Sequence, residues 1–591
     1  MSDRRQDIVD MLEELAELTV LEEADPQSFR VRAYETAKQA VAGHPGDVAS
    51  LTERELVKIA GIGKSTAAKI RELLDVGKVE KLEALRAKHP PDVLALSRIP
   101  GVGPKAVARL RKELGVQSVA DLKAALAAHK LRDLKGFGAK SEEKLSAALE
   151  RVERTGTNAR TPISVALPLA ERLVAGIREL PGVHAADYCG SLRRFSETVG
   201  DLDIVVAAAE PERVMEHVAT LGVVDRVIAR GETKTSVVTR RGLQVDVRVV
   251  PREALGAARL YFTGSKGHNI KLRQRALARG WTLNEYALAE QDTGKVVARE
   301  TEEEIYAALD LAFIPPALRE DMGEIDLAEK RAIPAFTGAG DVLGDFHVHT
   351  DLSGDGRSPL RDMVEGAMAR GYRLLAITEH AEDLALNGVG RDALERQRDE
   401  IRALQAELGG RIRILHGVEL NIGKGGELDY DEAFRASFDY TLASIHEHLD
   451  LGRDAQTARV LRAMEDPSVD MIGHLSARMI GGRPPVDLDI DAVLDGAART
   501  KTALEVNGGL PRLDVSLDVM RQAHGRDVLF VLTSDAHQVS ELDRMAHACL
   551  HAYKGGLTAD RIVNAWDEAR FFAWQKDRRA GKARGGRTKR A

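Results

Sequence analysis

The sequence predicts a multidomain α/β protein with a helical first quarter, a mixed α/β middle, and a C-terminal half closing into a barrel-like parallel sheet. Three observations predict it. Apolar residues recur at helical spacing from the start, at Ile8, Met11, Leu12, Leu15 and Leu18. From Pro162 short strand-like runs replace that pattern. From Asp345 to about Asp577 apolar runs alternate with helical stretches, the signature of βα units. At 591 residues the chain is too long for one core, and its length suggests about four domains.

Composition narrows the class. The apolar fraction of 44% is ordinary for a globular protein. No run of roughly 18 apolar residues exists, so no membrane span is expected. The opening MSDRRQDIVDMLEEL lacks an apolar signal core. Cys189 and Cys549 are the only cysteines, which excludes a disulfide framework and fits a reducing cytoplasm. The net charge of −7 hides an asymmetry. Residues 1–50 carry 5 Lys/Arg against 11 Asp/Glu, residues 51–150 carry 20 against 13, and the last sixteen carry eight basic side chains against Asp577. A polyanion can use the middle segment and the tail; a solvated face and a solubilising tail would look the same.

Within the helical region one unit recurs three times: Ile59-Ala60-Gly61-Ile62-Gly63-Lys64, Ile99-Pro100-Gly101-Val102-Gly103-Pro104 and Leu134-Lys135-Gly136-Phe137-Gly138-Ala139. Each is apolar-x-Gly-apolar-Gly followed by a helix bearing Lys or Arg, such as Lys64 and Lys105. Glycine permits the tight turn, and the next helix offers free N–H groups and its positive end to an anion. A phosphate satisfies both, and nothing in the arrangement reads bases. The pattern resembles the helix-hairpin-helix motif, which clamps DNA backbone without sequence preference.

TGTNART, residues 155–161, is a linker candidate. Beyond it a helix near 165–180 leads through Ala185–Cys189 into a Gly190-Ser191 turn. Strands are expected at Ile204–Ala207, Val223–Ile228, Ser236–Thr239 and Leu243–Val250. Asp201 and Asp203 alternate along a strand start and share a face, and Asp246 can approach from a neighbouring strand. Three converging carboxylates call for cations, and two Mg²⁺ ions would neutralise them, activate a hydroxyl and stabilise a leaving pyrophosphate. Gly190, Ser191 and Arg194 are suited to phosphates. The stretch Ala317–Gly344, rich in nearby Pro and Gly, reads as a second boundary.

In the last part His347, His349, Asp355, His380, Glu419, His446, His474, Asp535 and His537 nearly all follow an apolar run. The runs are Leu374–Thr378, Ile412–Gly417, Tyr440–Ile445, Met471–Gly473, Ala503–Val506 and Val528–Thr533, with Val342–His349 first. Ligands at the C-terminal ends of barrel strands converge on one mouth. Mixed His and carboxylate ligands suit Mn²⁺, Zn²⁺ or Fe²⁺. Nine ligands fit two or three ions, which generate hydroxide and clamp a phosphate. From Arg578 the polar tail shows no apolar pattern and is expected to be disordered.

The Gly190-Ser191-Leu192-Arg193-Arg194 and Gly200-Asp201-Leu202-Asp203 segments resemble the nucleotidyltransferase superfamily, and with Tyr261-Phe262-Thr263-Gly264-Ser265 more closely the family X DNA polymerases. That resemblance implies a palm with a thumb. It implies Asp201, Asp203 and Asp246 as catalytic metal ligands and Gly190, Ser191, Arg194 and Gly200 as phosphate contacts. Tyr261, Phe262 and Gly264 would meet the sugar of the incoming nucleotide, Asn269 the base and Arg273 the template. Val199 stands where some relatives carry Ser. It further implies Lys69 as a Schiff-base nucleophile of a deoxyribose-phosphate lyase, with Arg30 and Tyr34 on the 5′ phosphate. The nine-residue set resembles the PHP (polymerase and histidinol phosphatase) domain, a distorted (β/α)7 barrel. Asp355 replaces the His of some members, Glu379 stands where Asp is common, and Leu475 where Pro is frequent.

Together these resemblances describe a bacterial family X polymerase with a C-terminal PHP domain. The expected division is a helical lyase-like domain (1–84), a helical fingers-like domain with two hairpins (85–155), a palm (156–252), a thumb (253–335), the PHP domain (336–577) and a basic tail (578–591). The implied activity is filling of short gaps in base excision repair or end joining, on gapped or primed double-stranded DNA with deoxynucleoside triphosphates and Mg²⁺ or Mn²⁺. The PHP domain is expected to add a Mn²⁺-dependent 3′–5′ exonuclease, with 3′-end processing or abasic-site cutting beside it. A pyrophosphatase, a small-molecule phosphatase and a metal-stabilised scaffold stay open for the barrel. A monomer in the bacterial cytoplasm, associated with the nucleoid and without membrane contact, is expected.

Overall fold

The computed structural model describes residues 4–132 (apart from 24, 26–27, 44–47, 91, 94–95, 97–101 and 103), 142, 145, 146 and 160–585. It forms two compact units, Met1–Ala159 with Gly222–Arg226 and Val238–Gln244, and the remainder.

The first unit is helical over its described N-terminal residues. α1 (Arg4–Glu23) buries Ile8, Met11, Leu12, Leu15 and Leu18, the residues whose spacing predicted it. They pack with Leu56, Ile62, Ala67, Ile70 and Leu82. A second core gathers Val93, Leu96, Val102, Val107, Leu110, Leu122 and Leu131. α2 (Lys64–Val76) starts at Gly63 and stops at Gly77, whose φ of 78° is the left-handed value that ends helices. α3 (Pro104–Leu114) follows the second glycine pair. Gly101, Gly103, Gly136 and Gly138, and residues 155–159 of the expected linker, lie outside the described residues. The linker's Thr161 pairs with Val199, so that segment ends in a short strand.

From Ile163 the chain forms α4 (Ile163–Arg178) and a sheet of β1 (Val183–Tyr188), β2 (Asp201–Ala208), β3 (Val224–Arg230), β4 (Lys234–Thr239) and β5 (Gln244–Val250), in the order β1-β2-β5-β4-β3. β1 and β2 are antiparallel, with Tyr188 opposite Ile204. α5 (Leu255–Thr263) and α6 (Lys266–Leu277) follow, then a three-stranded antiparallel sheet of Trp281–Leu283, Leu288–Glu290 and Val296–Ala298. Their core holds Leu260, Leu272, Leu288, Ile305, Tyr306, Ile314 and Ala328. The boundary expected from Ala317 is corrected at its start. Pro316–Leu318 forms a 3-10 turn, and Arg319 is fully buried, donating to Ile314 O and Glu302 Oε1 at 2.8 and 2.5 Å. The prolines there shape a packed turn rather than a link.

Seven strands follow in an all-parallel sheet: β6 (Gly344–Asp345), β7 (Leu374–His380), β8 (Arg413–Asn421), β9 (Tyr440–Ser444), β10 (Met471–Gly473), β11 (Ala503–Asn507) and β12 (Phe530–Thr533). They pair in chain order, and a parallel bridge between Val348 and Ala536 brings the two edges together into a nearly closed barrel. The run Val342–His349 yields only the two-residue strand β6. Leu374, Ala376, Leu415, Tyr440, Leu442, Met471, Ala503 and Val531 share an inner core. Leu375, Ile377, Ile414, Val418, Ala443, Leu504 and Leu532 join the core with the surrounding helices. Side chains alternate along a strand, so His380, Glu419, His446 and Asp535 continue the inner rows at the strands' C-terminal ends.

α7 (Met545–Lys554) and α8 (Glu568–Gly585) complete the unit. α8 corrects the expected disordered tail, because it runs through Arg578 to Gly585; residues 586–591 lie outside the described residues. The Phe571 ring lies 4.7 Å from that of Phe346, tilted by 32°, and Trp574 Nε1 donates to Lys501 O at 3.1 Å. Burying one such aromatic contributes about 1.5–3 kcal/mol. Arg579 Nη2 donates to Asp470 Oδ2 at 2.6 Å, and the buried Arg578 lies 3.7 Å from Asp470 Oδ1. The polar composition of this segment therefore hides buried ion pairing.

Candidate active sites

The carboxylates of the five-stranded sheet are placed by strand alternation. Val205 and Val250 pack in one small core with Cys189 and Ala258, so both lie on the same face of adjacent strands β2 and β5. Asp201 and Asp203 share the parity of Val205, and Asp246 that of Val250, which puts the three on that face. Burial and the charges of Asp201 and Asp246 push the Asp203 carboxyl up to about 7. Lys234 Nζ lies 2.8 Å from Asp246 Oδ2. Gly190, at φ 64°, sits where a Cβ would come within 2.6 Å of Asp203 Oδ2, and Cys189 N donates to Asp203 O at 2.7 Å. The turn thus holds the strand end while leaving the carboxylate uncovered. A buried acid raised by two neighbouring acids fits a divalent cation.

The raised value has a consequence for stability. The unfolded carboxyl ionises near 3.8 and the folded one near 7, so ionisation disfavours the folded state increasingly as pH rises across that window. In chelated protein, Asp203→Asn is expected to raise the melting temperature more at pH 8 than at pH 5. An equal increment at both would show that the carboxylate charge is not its cause.

Around the triad, Arg193 donates to Glu302 at 3.0 and 2.6 Å and to Thr263 Oγ1 at 2.7 Å, so it is committed to structure. Arg194 Nη1 donates to Thr263 O at 2.5 Å, and its Nε lies 3.3 Å from Glu320. Tyr261, Asn269 and Arg273 line one small pocket with Leu283 and Asn284. Asn269 Nδ2 donates to Tyr261 O at 2.7 Å, and the Arg273 guanidinium lies 5.1 Å from the Tyr261 ring centre. Arg248 covers Phe262 at 4.7 Å. Gly264 turns the chain at φ 68°, Ser191 lies within the short helix Gly190–Arg193, and Gly200 immediately precedes β2. Val199 is buried opposite Thr161.

In the barrel the structure brings all nine sequence-predicted residues together. Four groups have ligand atoms within 4.8 Å of one another: His349, His380 and His537; His347, His474 and Asp535; His347, His349 and Glu419; and His380, Glu419 and His446. Asp355 joins through His380 Nε2 at 3.4 Å and His537 Nε2 at 3.5 Å. Among the described residues no group of this compactness lies outside the barrel. Glu419 is central: Oε1 lies 3.1 Å from His446 and 3.0 Å from His474, and Oε2 lies 3.4 Å from His347 and 2.8 Å from His380. Both Glu419 oxygens, His347 Nε2 and both His349 nitrogens are buried without a hydrogen bond. Orphaned atoms of this kind fit divalent ions, and nine donors exceed the needs of one. Burial alone would lower His347, but Asp535, Glu505 and Glu419 hold it well above its ordinary value. Burial and three neighbouring imidazoles push His349 well below, leaving it a neutral donor.

Several partners escaped the sequence reading. Glu505 Oε1 lies 2.6 Å from His347 Nδ1 and accepts from Thr533 Oγ1 at 2.6 Å, while its other oxygen accepts from His474 N. Asn421 Oδ1 lies 2.6 Å from His446 Nδ1, and Asn507 donates to Asp535 at 3.1 Å. Such contacts fix ring orientation at metal sites. A carboxylate in the apolar run Ala503–Val506 was the available signal for Glu505. Glu379 has the outward parity and accepts from Thr350 and Gln397, so it orients neighbours instead of joining the cluster.

In the first unit, Gly61 has φ 92°, and Lys64 opens α2 in an exposed position. Lys69 Nζ donates to Ser65 Oγ at 2.8 Å and sits 5.9 Å from the Tyr34 ring centre. Burial lowers the Lys69 ammonium below its ordinary value. Tyr34 is buried, and Arg30 is exposed beside Glu23 at 2.9 Å. Lys105 stands in the first turn of α3.

Comparison with known proteins follows this division. The family described as DNA polymerase beta thumb matches residues 258–320, helix-hairpin-helix families match 3–79 and 93–151, and the PHP domain matches 345–508. Over 565 residues, 95% of this chain and 97% of the relative, the sequence is 36% identical to the DNA polymerase/3′-5′ exonuclease PolX of Bacillus subtilis (strain 168). Probable phosphatases of Shewanella sediminis and Syntrophotalea carbinolica are 30% and 29% identical over 38% and 37% of this chain, and 91% and 90% of their own lengths.

Proposed function

The chain belongs to the bacterial family X DNA polymerases that carry helix-hairpin-helix motifs and a C-terminal PHP domain, and from that premise we propose a gap-filling repair polymerase with a 3′–5′ exonuclease in its barrel. It takes gapped or primed duplex DNA and deoxynucleoside triphosphates, for base excision repair or end joining. It works as a monomer in the cytoplasm, at the nucleoid. No helix among the described residues is long and apolar enough to cross a membrane.

The observation that supports the polymerase reading is the placement of Asp201, Asp203 and Asp246 on one face of adjacent strands, beside a turn at Gly190 where a Cβ would crowd Asp203 Oδ2. Asp201, Asp203 and Asp246 would hold Mg²⁺ or Mn²⁺. When bound, these ions would supply Lewis-acid activation of the primer hydroxyl and neutralise the leaving pyrophosphate. Gly190, Ser191, Arg194 and Gly200 bind the triphosphate with amides, a hydroxyl and a guanidinium. Tyr261, Phe262 and Gly264 bound the sugar; the Asn269 bond to Tyr261 O fixes that side chain for base contact, and Arg273 meets the template.

In the barrel, the nine-residue set would hold two or three Mn²⁺, Zn²⁺ or Fe²⁺ ions, which supply hydroxide and clamp the scissile phosphate. Glu505, Asn421 and Asn507 fix the rings and carboxylate that bind them. The same barrel serves 3′-end processing and abasic-site cutting, since each breaks a phosphoester. Phosphate release from pyrophosphate or a sugar phosphate, without DNA cleavage, would instead assign it to the chemistry named for the probable phosphatases.

The hairpin at Gly61–Lys64 binds DNA backbone, offering the N–H groups at the start of α2 to phosphate, and the repeats Gly101–Lys105 and Gly136–Gly138, whose glycines lie outside the described residues, are assigned the same role from their sequence. Lys69, with its lowered ammonium, serves as lyase nucleophile, and Arg30 and Tyr34 hold the 5′ phosphate. Borohydride should trap the parent protein on a 5′ deoxyribose-phosphate end, and Lys69→Ala should fall to background. Equal trapping of the variant would remove Lys69 from this role.

A further inference from the structure

One barrel helix reaches the loop that carries Arg194. At the end of α7, Lys554 Nζ donates to the backbone carbonyl of Arg194 at 2.7 Å and to Glu320 Oε1 at 2.5 Å. The same Glu320 oxygen lies 3.3 Å from Arg194 Nε. The Lys554 side chain is 4% exposed. Neighbouring contacts hold the rest of the loop. The His547 ring lies 5.9 Å from Phe195, and Arg478 donates to both Glu197 oxygens, at 3.1 and 2.7 Å. Phe195 has φ 56°, a conformation non-glycine residues keep only when their surroundings impose it.

The charges around Glu320 matter most. One carboxylate faces two cations, Lys554 from the barrel and Arg194 from the palm. Without Lys554, the partly buried Glu320 would keep Arg194 as its compensating charge, and a carboxylate that loses one of two cations draws more strongly on the other. That guanidinium would then be withdrawn from the nucleotide. We propose that Lys554 is a positioning residue for polymerisation: it neutralises Glu320, so that Arg194 stays available to the triphosphate. This rests on the reading of Arg194 as a triphosphate contact. It makes the barrel a structural part of the nucleotide site, independent of the barrel's own chemistry.

The test is single-nucleotide insertion by the full chain on a gapped duplex with Mg²⁺, read as kcat and KM for the nucleotide. Lys554→Met should raise the nucleotide KM about tenfold while leaving kcat within about twofold, the pattern of lost ground-state and transition-state binding alike. KM for DNA and the nuclease rate of the same preparation should not change. A general packing defect would lower kcat and the nuclease together, and that outcome would overturn the proposal. The double variant Lys554→Met/Glu320→Gln removes both charges and leaves neither unpaired, so its nucleotide KM should return toward the parent value. A double variant as impaired as the single one would overturn it too. Arg194→Ala separates the two levels. If it raises the nucleotide KM but Lys554→Met does not, the positioning role fails alone. If Arg194→Ala leaves KM unchanged, the triphosphate reading fails and takes this proposal with it.

Discussion

Asp203→Ala should abolish nucleotide addition and leave the barrel nuclease at the parent rate. The expected fall is roughly 10³-fold or more, the scale on which charge stabilisation of transferring phosphates acts. Burial and the charges of the two neighbouring acids lift the Asp203 carboxyl to about 7. Its removal takes away one of the three carboxylates proposed to hold the metal. Cys189 and Gly190 hold its backbone and leave its oxygens uncovered, so an alanine there removes chemistry with little packing. Primer extension on a gapped duplex, with nuclease measured on the same preparation, checks it. Retained synthesis would refute the assignment of this acid.

The reverse separation is expected in the barrel. Glu419→Gln and His349→Ala should each reduce primer shortening to background while single-nucleotide insertion stays within about twofold of the parent. Glu419 faces five imidazoles with its two carboxylate oxygens, and neither oxygen has a hydrogen-bond partner. Glutamine keeps the shape and loses the charge, so a loss of activity would report on metal binding and not on folding. Metal content by elemental analysis should fall with the nuclease. A nuclease that survives either substitution would come from a different site or a contaminating protein.

What the sequence made legible follows from where each residue stands along a strand. His380, Glu419, His446 and Asp535 close apolar runs whose alternate members fill the inner core, so both their existence and their convergence could be read from period and parity. Asp201 and Asp203 were legible for the same reason. Glu505 was not singled out, although it too interrupts an apolar strand, because it lies in a run with no histidine beside it. Lys554 carried no signal at all. A lysine in the last turn of a helix is the ordinary partner of that helix end, and only the fold shows it meeting a palm carbonyl and a thumb carboxylate. The tail was misread for the opposite reason. Phe571, Trp574 and Arg578 fall at helical spacing across the expected boundary, but the basic composition after Asp577 masked the continuation, and the acid that anchors it, Asp470, lies more than a hundred residues earlier.

One chain is expected both to extend and to shorten a DNA primer, at two separate sites. The most direct measurement uses a duplex with a one-nucleotide gap, an end-labelled primer and Mn²⁺, with and without deoxynucleotides. Growth by one nucleotide in their presence and stepwise shortening in their absence is the predicted result. Growth without shortening would contradict the claim for the barrel, and shortening without growth would contradict it for the palm.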